Sequence, residues 1–429
     1  MPRPHGARLA ALVALAVLGC GRDRRPDVLL VVLDTVRADH LSTYGYARPT
    51  APALDALAAE AVVHRRAVAS GTWTPPSHAS LFTGLMPSEH GVRYATGVPG
   101  EGVYALAPAV PTLAERLRAA GYRTAAFAGN HGFLDPVFGL ARGFDEYRRD
   151  GLEHAGPLVD AAVAWLRHRR GRQPLFLFLN AMDAHAPYAP PPPYDAMFPA
   201  TLPPGVPPTS DPAKAAERMA RYDGAIRYET DALARLFAAV RALGRWDDAL
   251  VVVTADHGDL FGERGRWEHT GDPVWSLVHV PLLVKYPHGA RRGVEERPVG
   301  LADVAPTILA TLGLPPLPVA RAPLWAPRGP AVAENVGPAG VTRAAYDEAG
   351  HALVETVGAQ GRTRALFDLA TDPAEERPRD PEGDPAGAQL AAELDAAVRA
   401  LAAARPGPVV FPRADRKLAE RLRSLGYLR

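Results

Sequence analysis

Side chains able to do chemistry recur in this chain at one kind of place, just after a short apolar run. Asp27 to Leu33 reads Asp-Val-Leu-Leu-Val-Val-Leu and is followed by Asp34. Thr124 to Ala128 leads to Asn130 and His131, and Leu175 to Leu179 to Asp183 and His185. Leu250 to Thr254 leads to Asp256 and His257, with His269 further on. Continuous apolar runs of this length read as buried parallel strands. Open α/β sheets place ligands at the carboxyl ends of their strands. One carboxylate in such a position is an ordinary loop cap, but four strand ends bearing carboxylates, an amide and imidazoles predict one shared crevice.

A hydroxyl can reach that crevice. Residues 69–84 read Ala-Ser-Gly-Thr-Trp-Thr-Pro-Pro-Ser-His-Ala-Ser-Leu-Phe-Thr-Gly. Thr is a favoured N-cap, Pro is favoured in the first helical turn, and Gly84 is a usual stop. Thr74 is therefore predicted at a helix N-terminus, where amide groups and the macrodipole favour negative charge. Capping alone is the other use of that hydroxyl.

These residues need a frame. Apolar spacing predicts helices within Ala51 to Val63, over Val110 to Ala120, Leu158 to Arg169 and Lys214 to Leu243, and over Ala302 to Leu312. Pro281 to Lys285 reads as another strand. Alternating strands and helices predict an α/β fold with a mostly parallel sheet. Beyond Leu317 the pattern changes, with helices expected at Gln389 to Ala404 and Leu418 to Leu425.

With 429 residues, 47% of them hydrophobic, the chain can bury one large core and a smaller one. A net charge of +1 gives no reason to expect a nucleic-acid partner. The single cysteine, Cys20, ends a segment with Arg3, His5 and Arg8 ahead of the apolar run Leu9 to Leu18. That is the pattern of a secretory signal and too short for a membrane span. Val17-Leu18-Gly19-Cys20 resembles a bacterial lipobox, which implies a signal peptide over 1–20 and a lipid anchor on Cys20. The chain is then an exported cell-envelope lipoprotein, on the periplasmic side or at the outer membrane. The alternative is an ordinary signal peptide with an incidental Cys.

The stretch around Thr74 resembles the sulfatase signature of the alkaline phosphatase superfamily. In that signature Cys or Ser, any residue, Pro, Ser and Arg lead into Leu-Thr-Gly. Thr74 stands at the nucleophile position, Pro76-Ser77 and Leu81-Phe82-Thr83-Gly84 match, and His78 replaces the Arg. Asp34 falls at the first metal-binding Asp of the family, with Thr35 in place of the second, so one ligand is missing or replaced. Asp256 and His257 match the second metal-binding pair. Asp183-Ala184-His185-Ala186-Pro187-Tyr188 resembles the family's Asp-x-His-x-Pro-Tyr segment, whose His contacts substrate. His269 falls where relatives carry a Lys or His near the leaving group. Asn130 and His131 lie where many sulfatases have a Lys and a His on the substrate oxyanion.

The resemblance implies a three-layer α/β/α sandwich, with a catalytic domain over 27–316. It also implies a small C-terminal α+β subdomain with an antiparallel sheet over 317–429. Asp34, Asp256, His257 and Thr74 are then ligands of one divalent cation, calcium as in sulfatases or, with a His ligand and an Asp lost, zinc or manganese. A second metal on Asp183, His185 and His269 is a further expectation. Thr74, His185 and His269 are the expected catalytic groups, and His78, Asn130, His131 and Asp183 the expected substrate contacts. The expected activity is hydrolysis or transfer of sulfate or phosphate esters, with phosphoesters favoured and a small-molecule or envelope ester as substrate. A non-catalytic envelope binding module is the alternative.

Overall fold

The computed structural model describes residues 25–95, 102–169, 173–269, 271–318, 321–327 and 329–402, with Glu420 and Leu422. The expected signal segment with Cys20 lies outside these residues, as does most of the helix expected at Leu418 to Leu425.

The apolar runs form the middle of one sheet. Its strands are β1 (Val28–Leu33), β2 (Val62–His64), β3 (Arg123–Ala128), β4 (Glu146–Arg148), β5 (Leu175–Ala181), β6 (Leu250–Thr254), β7 (Leu282–Lys285) and β8 (Gly293–Glu295). They lie in the order β8-β2-β7-β6-β1-β5-β3-β4. Every residue of β1, β5 and β6 is buried, as both faces of a covered parallel sheet require. The strands from β6 to β4 are parallel, and β7 runs antiparallel to both β6 and β2. Leu33 pairs with Ala181 and Val32 with Thr254, so these strands end at one level.

Helices cover both faces. On one, α1 (Pro52–Ala58) and α4 (Ala155–Arg167) pack against the long α5 (Pro212–Ala242), with α4 lying on β3 and β5. On the other, α2 (Thr74–Thr83) packs with α3 (Leu113–Ala119) and α6 (Val304–Thr311), and α3 lies on β3. The helix expected within Ala51 to Val63 stops at Ala58, because Val62 and Val63 join the sheet beside β7. Beyond the sandwich, β9 (Ala331–Gly337), β10 (Gly340–Tyr346), β11 (His351–Gly358) and β12 (Gly361–Asp368) make a separate antiparallel sheet. The helix α7 (Pro385–Ala402) packs on it through Leu390 and Leu394, against Ala345 and Leu353. Among the described residues no helix is long and apolar enough to cross a membrane.

Candidate active site

Asp34 leaves β1 with its amide still on the ladder, donating to Ala181 O at 2.8 Å. Its Oδ2 accepts from Asn130 Nδ2 and Asn180 Nδ2, both at 3.1 Å, while Oδ1 is buried with no hydrogen-bond partner. The chain then turns sharply at Thr35, whose φ of 62° is unusual for a β-branched residue. Such a conformation costs about 1–3 kcal/mol and needs support. Tyr222 of α5 supplies it, donating to Thr35 O at 2.7 Å and accepting from Arg37 N at 2.8 Å. The Thr35 hydroxyl lies 2.7 Å from Asp34 O and 2.8 Å from Ala184 O. It is spent on backbone carbonyls and gives no substitute for the family's second Asp.

The strained turn aims the Thr35 amide at Asp256 Oδ1, 3.2 Å away, and the His257 amide reaches the same oxygen at 3.0 Å. Asp256 Oδ2 is buried without a hydrogen-bond partner, 3.4 Å from both His78 Nδ1 and His257 Nε2. Burial alone would raise this carboxyl, but His257 and His78 hold it well below the usual carboxylate range. His257 Nδ1 donates to Gly258 O at 2.9 Å, which turns Nε2 toward the carboxylates. One ligand atom from each of Asp34, Asp256 and His257 can be chosen so that all lie within 4.8 Å of one another. Two orphaned carboxylate oxygens and an oriented imidazole are the donor set a divalent cation needs.

Thr74 differs from expectation in one respect. It is the first residue of α2 and not its cap, since Trp73 takes the cap position without a side-chain hydrogen bond. The hydroxyl is therefore not spent on an amide of its own helix. It lies 3.4 Å from His257 Nε2 and 3.5 Å from Asn130 Nδ2. Gly84 closes the helix in the left-handed conformation.

The structure parts the four expected substrate contacts. Asn130 bridges Asp34 and Thr74, and it is locked by Phe133 N on its Oδ1 at 3.0 Å and by Asn180 Oδ1 on its amide at 2.9 Å. His131 faces Glu153, with Nδ1 3.8 Å from the carboxylate, and its carbonyl accepts from Arg149. His78 is fully buried against Phe82 and Phe178, and its Nδ1 reaches Thr74 O at 3.0 Å, so it serves Asp256 and the helix. Asp183 spends one oxygen on His154 Nδ1 at 2.7 Å and the other on Ala155 N at 2.8 Å, holding the start of α4. It does not join His185 and His269, so the expected second metal set does not assemble. Among the described residues the one group of this kind is Asp34, Asp256 and His257.

His185 and His269 do meet, with ring centroids 4.8 Å apart, and His269 lies 4.6 Å from His257 on the same measure. Burial and then the neighbouring His269 push the His185 imidazole below its ordinary value. Sequence reasoning missed Asn180, which orients Asp34 and Asn130, and Asp259, which holds His269 Nδ1 at 3.2 Å. A polar residue closing the apolar run of β5 and a second Asp in Asp256-His257-Gly258-Asp259 were the available signals.

A buried hydroxyl, orphaned carboxylate oxygens and three imidazoles at the carboxyl ends of the central strands are the groups that metal-assisted ester hydrolysis uses. Residues 26–314 match the sulfatase family, and the chain belongs to it. It is an ester hydrolase of the sulfatase and alkaline phosphatase superfamily. The multifunctional alkaline phosphatase superfamily protein PehA of Trinickia caryophylli is 26% identical over 67% of this chain and 74% of its own. The ulvan-active sulfatase of Formosa agariphila is also 26% identical, over 66% of this chain and 61% of its own. Among solved structures, the phosphonate monoester hydrolase of Agrobacterium radiobacter superposes with a TM-score of 0.72. That match is 22% identical and covers 88% of this chain and 96% of the other.

Proposed function

We propose that the protein hydrolyses phosphate mono- or diesters in preference to sulfate esters, through a covalent intermediate on Thr74. The observation that carries this is the Thr74 hydroxyl, uncommitted to its own helix and 3.4 Å from Nε2 of His257. The nucleophile position holds Thr74, where formylglycine is made from a Cys or Ser, so the aldehyde cannot form there. A formylglycine hydrate expels sulfate through its second hydroxyl by breaking a carbon–oxygen bond. Thr74 has no second hydroxyl, so its ester must be cleared by attack on the central atom. Phosphorus accepts in-line attack by water or an alcohol, which makes phosphoesters the fitting substrates.

Asp34, Asp256 and His257 would hold one divalent cation, and a His among three ligands points to zinc or manganese ahead of calcium. When bound, it lowers the pKa of the hydroxyl and draws charge from a non-bridging ester oxygen. Thr74 Oγ1 then gives up its proton to solvent and forms a bond to phosphorus as the bond to the departing alcohol breaks, the electron pair leaving with the alcohol oxygen. Asn130 Nδ2 stands within donor range of the attacking oxygen, and we assign His185 and His269, whose rings meet beside His257, to the departing side. In the second step water attacks phosphorus, the phosphorus–Oγ1 bond breaks, and the Thr74 oxygen takes back a proton from solvent. Relatives bearing sulfatase and alkaline phosphatase superfamily names support both ester classes for this site.

Aryl sulfate, aryl phosphate and bis-aryl phosphate offered to one preparation decide the preference. The expected result is a higher kcat/KM on a phosphate ester. A higher kcat/KM on the sulfate would overturn it.

A further inference from the structure

His185 and His269 stand on loops that follow different strands, β5 and β6, yet their rings meet. The bond that ties those loops is the Tyr188 hydroxyl donating to Asp259 Oδ2. Tyr188 closes the turn that carries His185, its amide donating to His185 O at 3.1 Å. The other oxygen of Asp259 accepts from His269 Nδ1 at 3.2 Å. That bond places a proton on Nδ1 and turns Nε2 away from the carboxylate.

The clamp is rigid on both sides. Tyr188 is buried, packs on Tyr222 and Phe261, and is held at φ 54°, a conformation a bulky residue keeps only under constraint. The Asp259 carbonyl accepts from Arg37 Nη1 at 3.0 Å, and Arg37 is fixed by Asp39 and Glu263. Among the described residues neither Tyr188 nor Asp259 hydrogen-bonds to Asp34, Asp256 or Thr74.

We propose that Tyr188 and Asp259 are positioning residues that aim His269 Nε2 at the oxygen of the departing alcohol. This rests on the phosphoester reading above. As the phosphorus–oxygen bond breaks, its electron pair leaves with the alcohol oxygen, which takes the Nε2 proton. The water that attacks phosphorus in the second step returns a proton to Nε2. A poor leaving group depends on that proton and a good one does not.

The test is kcat on 4-nitrophenyl, phenyl and ethyl phosphates for wild type, Asp259→Asn and Tyr188→Phe. General acid catalysis supplies about 100-fold or more. The expected result for Asp259→Asn is therefore a loss of about 100-fold on the ethyl ester and little loss on the 4-nitrophenyl ester, with KM unchanged. Tyr188→Phe removes one oxygen and should show the same slope, smaller in size. It decides the matter alone if Asp259→Asn does not fold. An equal loss on all three esters, or none, overturns the positioning role. If wild type turns over these esters and Thr74→Ala does not, the phosphoester reading survives that outcome. If wild type turns over none of them, both fall.

Discussion

Thr74 is the residue on which the chemistry is easiest to separate from the fold. Its hydroxyl caps nothing, so Thr74→Ala removes one oxygen and one methyl from a buried site. The loss of buried area is worth about 1 kcal/mol, partly offset by the higher helix propensity of Ala. We expect kcat to fall by at least about 1,000-fold, as for other covalent nucleophiles, with Tm shifted by a few degrees. Steady-state kinetics and a melting curve on the same sample check this, and full activity would remove the covalent step. Asp256 is a different case, because its carboxylate is shared by two amides and two imidazoles. Asp256→Ala should lose bound metal and turnover together, read by elemental analysis beside kcat. Full activity of metal-free wild type in chelator would rule out the cation's role.

At the scale of elements, the turn Trp275–Val278 links the two halves of the site. Leu277 O accepts from Gly258 N at 2.7 Å, next to His257, and Val278 O accepts from Ala69 N at 2.8 Å, before Thr74. The turn is itself held by Glu375, past the end of β12, whose Oε2 accepts from Trp275 N at 2.8 Å. Burial pushes the Glu375 carboxyl up from 4.5 to about 7. A raised folded value means the native state binds this proton more tightly than the unfolded chain. The contribution is complete below pH 4.5 and is lost as pH rises through about 7, a span worth about 3 kcal/mol. Glu375→Gln keeps the acceptor and cannot ionise, so its stability should fall less than that of wild type between pH 4.5 and 7. Urea melts at several pH values measure this, and parallel curves would show that Glu375 does not titrate there. None of this brace was legible in the sequence, because Trp275 and Glu375 are a hundred residues apart. The strands were legible, since unbroken runs such as Val28–Leu33 have no other way to be buried. Strand ends therefore placed Asp34, Asp256 and His257 correctly at one edge. What failed was the direction of side chains in the loops. Asp183 and His185 are two residues apart, yet one turns to the amides of α4 and the other to His269. That choice is made by a helix start and by Tyr188, neither of which leaves a local pattern.

At the scale of the whole molecule, the sheet has two edges and the crevice uses only one. The chain enters at the other: Arg25 Nη1 donates to Ala120 O at 2.6 Å, Tyr122 OH to Pro26 O at 3.0 Å, and Leu250 N to Asp27 O at 2.8 Å. All three contacts lie at the amino ends of β3, β1 and β6, whereas Asp34, Asn130 and Asp256 follow their carboxyl ends. We propose that Cys20 carries a lipid anchor, and the four residues between it and Arg25, five Cα–Cα steps in all, reach about 18 Å at most. A tether that short would keep the amino ends of these strands beside the bilayer and turn the crevice away from it. On that proposal the substrate would be an ester reached from the aqueous side or from the opposite wall of the envelope. More than one acyl chain gives stable attachment, so the anchored form should sediment with membranes. Cys20→Ser should move the protein to the soluble fraction or leave it unprocessed, while kcat on a soluble aryl phosphate stays as in wild type. A Cys20→Ser protein that stays in the membrane fraction with unchanged processing would show that the apolar leader is not a lipoprotein signal. A soluble form with altered kcat would show that the crevice and the membrane are not on opposite sides.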